Sequence, residues 1–71
     1  SLPKSTDVRL TIYNMLGQRV TTLVDQYLDA GFYSVDWDGS NDAGSPVSSG
    51  VYFYRLSVGE FSEARKMLLL K

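Results

Sequence analysis

The 71-residue chain contains no cysteine and no histidine. The first absence removes disulfides, thiol chemistry and cysteine-ligated zinc, so cysteine usage assigns no redox compartment. The second removes the usual general base and the commonest transition-metal ligand. No histidine stands ready to activate a serine, and the lysines lie in no recognisable nucleophile motif, so covalent catalysis has no candidate base. The chain therefore reads as non-enzymatic, with no cofactor and no small-molecule substrate. Long apolar runs are also missing, since the longest, Met67 to Leu70, is far too short to span a bilayer. Ser1-Leu2-Pro3-Lys4 is not a signal peptide, and a secreted parent would carry its signal upstream.

An excess of charge of one sign is lacking too. Seven Lys and Arg against eight Asp and Glu leave a net charge of −1, which gives no electrostatic footprint for nucleic acid or an anionic membrane. The charges are nevertheless segregated. Asp25, Asp29, Asp36, Asp38 and Asp42 fall in a stretch with no Lys or Arg, while Arg65, Lys66 and Lys71 gather at the far end; the ordinary reading is two solvated surfaces. At 44% hydrophobic and 13% aromatic residues, there is enough apolar material for one core. Residues 1–71 make one small domain whose stability is expected to be modest.

Period-2 alternation dominates. Val8, Leu10 and Ile12 oppose Arg9, Thr11 and Tyr13, which predicts a half-buried strand. Asn14 to Gly17 reads as a hairpin loop into a second strand near Arg19 to Val24. Asp25 to Ala30 reads as a connector, with room for one helical turn before Gly31. Alternation resumes over Phe32 to Trp37, and Asp38 to Pro46 is dense in turn residues. Val51 to Val58 and Phe61 to about Leu70 are two further strands joined by a Gly59-Glu60 turn. Short strands at this spacing predict an antiparallel sandwich with Val8, Leu10, Ile12, Val35, Trp37, Tyr52, Tyr54 and Leu56 in its core.

Two carboxylate arrangements are candidates for chemistry. Asp36 and Asp38 at i and i+2 on a strand would sit about 7 Å apart, a spacing open to an inverting glycosidase pair, but Gly39 follows at once and Asp38 reads as a turn cap. Asp38, Ser40 and Asp42 alternate like calcium ligands, yet Ala43 stands where an EF-hand loop needs Gly and Ser49 where it needs Glu. These side chains are expected to hydrogen-bond their own loop, with no metal site. Trp37, Tyr33 and Tyr54 could form a sugar platform, though in so small a domain core packing is the expected use.

Several blocks resemble a known family. Val8-x-Leu10-x-Ile12-Tyr13-Asn14-x-Leu16-Gly17-Gln18, Gly31 through Asp38-Gly39, Gly44-x-x-Val47-x-Ser49-Gly50-Val51-Tyr52-x-Tyr54-Arg55-Leu56 and the ending Lys66-Met67-x-Leu69-Leu70-Lys71 look like a type A C-terminal sorting domain of the bacterial type IX secretion system. The middle block, Trp37-Asp38-Gly39 through Gly50-Val51-Tyr52, is also similar to the Ig-like domain of flagellar hook-capping proteins. The resemblance implies an all-β, small antiparallel immunoglobulin-like β-sandwich. It implies a non-catalytic address read by an outer-membrane secretion translocon, removed by a sortase-like protease, and delivered to the cell surface or medium through the periplasm of a Gram-negative bacterium. Lys66, Met67, Leu68, Leu69, Leu70 and Lys71 are the expected recognition residues. Met67 to Leu70 is either presented by strand addition or buried as a central strand, and one strand can serve both ends. Sorting domains usually carry a further strand before the Leu-Pro that here is Leu2-Pro3, so the sandwich is expected to lack its N-terminal edge strand and to pair there, including as a homo-dimer. The competing expectation is a passive Ig-like spacer, adhesion or carbohydrate-binding module.

Overall fold

The computed structural model describes residues 2–70. Four strands, β1 (Thr6–Tyr13), β2 (Arg19–Leu28), β3 (Gly50–Val58) and β4 (Phe61–Leu69), form one antiparallel sheet in the order β2-β1-β3-β4. Two hairpins are thus joined through their first strands, with Leu10 opposite Leu56 and Ile12 opposite Tyr54 at the centre. The alternation of β1 and β3 decides which face is apolar. Val8, Leu10 and Ile12 share it with Tyr52, Tyr54, Leu56 and Val58, while Arg9, Tyr13, Phe53 and Arg55 take the opposite face.

The hairpin turns follow from local chemistry. The Asn14 Oδ1 accepts hydrogen bonds from the Leu16 and Gln18 amides at 2.9 and 3.0 Å, and Gly17 takes a φ of 79°. Gly59 has a φ of 58°, which favours glycine, and a Cβ there would lie 3.0 Å from the Thr6 hydroxyl, which would have to shift to admit it.

Strand β2 runs to Leu28, which corrects the expectation of a connector or helical turn over Asp25 to Ala30. Its far end is held by pairing rather than propensity: Thr6 opposes Leu28, Asp7 opposes Tyr27 and Arg9 opposes Asp25, the last with a 3.5 Å ion pair in solvent. Register shifts between Leu10 and Thr11, and between Ile12 and Tyr13, leave Leu23 and Val20 as extra residues on β2. Such bulges re-aim side chains. Val20 and Leu23, three apart and so on opposite faces of a regular strand, both pack on Ile12 and Tyr52.

The connection from β2 to β3 has to cross β1, and it does so over the apolar face. Trp37 and Val47 from this crossing pack against the buried cluster of Ile12, Val20 and Tyr52, joined by Leu23, Tyr54, Met67 and Leu69. The Trp37 and Tyr52 rings meet edge to face at 5.1 Å, and the Trp37 Nε1–H donates to the Ser40 carbonyl at 2.9 Å. The second layer of this domain is therefore one irregular crossing rather than a second sheet. Phe32 to Trp37 lies in no strand; it is flanked by isolated bridges of Leu2 with Gly31 and of Ser40 with Pro46.

Coverage is uneven as a result. Val35, expected in the core, is 43% exposed. It lines an apolar groove of about 540 Å³ over the half of the sheet that the crossing leaves open, with Val8, Leu10, Val24, Leu56 and Val58 as its floor.

Candidate recognition strand

Strand β4 is bonded to β3 along one side and forms an edge of the sheet on the other. Of the two expectations for Met67 to Leu70, the buried central strand is the one the structure excludes. Alternation divides its residues. Met67 and Leu69 turn inward against the Ile12 and Tyr52 cluster, whereas Leu68 is 61% exposed and Leu70 78% exposed. Lys66 is exposed and stands opposite Phe53, itself partly in solvent. Lys71 lies outside the described residues. The structure thus brings Lys66, Leu68 and Phe53 together on the solvent face at a sheet edge and sets Met67 and Leu69 apart as anchors. Upstream on the same strand, the Arg65 Nε–H and Nη2–H donate to the Glu63 Oε1 at 2.9 and 2.8 Å. This hydrogen bonding, with the attraction of the Glu63 carboxylate, raises the Arg65 pKa and holds its charge on the strand.

Such an arrangement suits strand addition. An edge offers backbone N–H and C=O groups for a ladder, and alternate exposed side chains supply selectivity.

The carboxylate candidates resolve into loop structure. The Asp38 Oδ1 accepts from the Ser40 amide at 3.0 Å and from the Ser40 hydroxyl at 2.5 Å. Those two bonds lower the Asp38 pKa from its ordinary value of 3.8. Asn41 repeats the pattern, its Oδ1 accepting from the Ala43 and Ser45 amides at 3.0 Å each. Asp42 is drawn to Arg19 in a 2.9 Å ion pair, and its amide donates to the Val20 carbonyl, so the loop is tied to the start of β2. Among the described residues, no group of three or more carboxylates converges as a metal would require. The aromatic platform is not assembled either, because Trp37 and Tyr54 pack on the core cluster while Tyr33 stands apart, its hydroxyl donating to the Asp29 carbonyl at 2.5 Å.

Sequence reasoning missed the groove. Its signal was present only in part: Tyr33 and Val35 alternate as a strand does, but nothing in the sequence shows that this strand lacks a ladder partner.

The four antiparallel strands with an apolar face closed by a crossing define a small immunoglobulin-like domain. The chain belongs to the FlgD Ig-like domain family, whose model matches residues 2–60. The match covers β1, β2, the crossing and β3, and ends at the turn before β4. No curated protein and no solved structure matches the chain.

Proposed function

We propose that this domain is a non-catalytic sorting signal of the type IX class, which directs a cargo protein through an outer-membrane translocon for release or attachment at the cell surface, with a sortase-like protease removing it. The observation that carries this reading is the position of β4: Lys66 and Leu68 are displayed on an edge strand, with Leu70 exposed just past its end, where a receptor can add to the sheet without unfolding it. The resemblance of Lys66-Met67-x-Leu69-Leu70-Lys71 to the sorting-domain ending supports it.

The experiment is a fusion of residues 1–71 behind a periplasm-targeted fluorescent protein, expressed in a bacterium that has the type IX system and in a strain lacking the translocon. Fluorescence at the surface or in the medium of the first strain alone is the expected result. Equal retention in both would remove the reading.

A second reading is a passive Ig-like spacer, and the family match favours it because that match needs no residue of β4. On this reading the fusion stays in the periplasm in both strains.

A further inference from the structure

We propose that the open half of the apolar face, together with Phe32–Trp37, accepts one added β-strand from a second polypeptide: an extended segment with apolar side chains at alternate positions and basic residues between them. The groove reaches β4 at Phe61, away from Lys66 to Leu70, and the proposal does not depend on the reading above.

Three observations converge. Phe32–Trp37 runs without a helix, turn or bend, yet among the described residues it makes no ladder hydrogen bond. The ladder begins one residue earlier, where Leu2 and Gly31 exchange bonds of 2.6 and 3.0 Å in antiparallel sense, so this edge is already shaped for pairing and its direction is set. Tyr33 and Val35 line the groove beside it. A small apolar ligand would fill the groove and leave that backbone unpaired, whereas a strand antiparallel to Phe32–Trp37 satisfies both at once.

Charge selects among strands. Asp29 and Asp36 are exposed and without an ion pair among the described residues, in contrast to Asp25 and Asp42, which are matched by Arg9 and Arg19. No Lys or Arg occurs between Arg19 and Arg55 to neutralise them. A basic side chain opposite Asp36 makes a favourable cross-strand pair. A second copy pairing antiparallel through the same segment would set Tyr33 opposite Asp36 and supply no cation, so it lacks the complementary charge and is disfavoured as the occupant.

The test uses a synthetic peptide of sequence Lys-Thr-Val-Lys-Ile-Thr-Val-Lys. One control replaces each Lys by Glu, and another keeps the composition but scrambles the alternation. At saturation, amide exchange over residues 32–37 is expected to slow by roughly tenfold or more, and the Glu version to bind several-fold more weakly. Val35→Lys should abolish binding while leaving exchange in β1 and β3 unchanged, because Val35 is already 43% exposed. Absence of protection at 32–37, equal binding of the scrambled peptide, or protection along β4 instead would overturn the proposal. Concentration-dependent protection of 32–37 without peptide would assign the site to a second copy and overturn it likewise.

Discussion

Ile12 and Val35 show how far a single position can be read from sequence. Both alternate correctly and both were expected inside, yet Ile12 is 2% exposed and Val35 43%. The difference lies in what covers them: Trp37 and Val47 close over the Ile12 cluster, and nothing among the described residues closes over Val35 to the same degree. Chemical denaturation should therefore separate them. Ile12→Ala is expected to cost about 2–5 kcal/mol, against about 0.5 kcal/mol for Val35→Ala. Asp38 was legible, since Asp followed by Gly and Ser announces a turn. Its pKa is lowered in the fold, so the bonds to Ser40 contribute fully above the ordinary carboxylate value of 3.8 and are lost as pH falls through the lower folded value. Titration by NMR should find the Asp38 carboxyl ionising below its ordinary value of 3.8, and in Ser40→Ala that shift should shrink.

At the scale of elements, β1 was legible from its alternation, β3 from its β-branched and aromatic residues and β4 from the Gly59-Glu60 turn before it and its apolar end, and the turns at Gly17 and Gly59 because positive φ calls for glycine. The far end of β2 was not. Asp25-Gln26-Tyr27-Leu28 carries no β-branched residue, and its strand geometry comes from opposing β1 along Thr6 to Arg9, a partner no local pattern reveals. The bulges at Val20 and Leu23 were hidden for the same reason. Phe32–Trp37 errs the other way, having the strand pattern without the ladder. Hydrogen exchange checks this division. Central β1 and β3 should be the slowest to exchange, the outward amides of edge strands β2 and β4 faster, and residues 32–37 in the free chain the fastest of the alternating segments.

For the molecule as a whole, the fold class follows from sequence while the second layer does not. The same four-stranded sheet serves as a scaffold in a spacer or in a sorting signal, so the proposed sorting role rests on β4 and not on the fold. Its inward residues Met67 and Leu69 hold the strand to the core, which frees the outward ones to be read. The most direct measurement is the surface or medium yield of the fluorescent fusion carrying Lys66→Glu with Leu68→Asp, compared with the unsubstituted fusion and with Met15→Asp on the exposed tip of the first hairpin. Thermal melts of the isolated domains should show all three folded. The β4 pair is expected to lose most of the yield and Met15→Asp almost none. Undiminished secretion by the folded β4 variant would contradict the proposed sorting role.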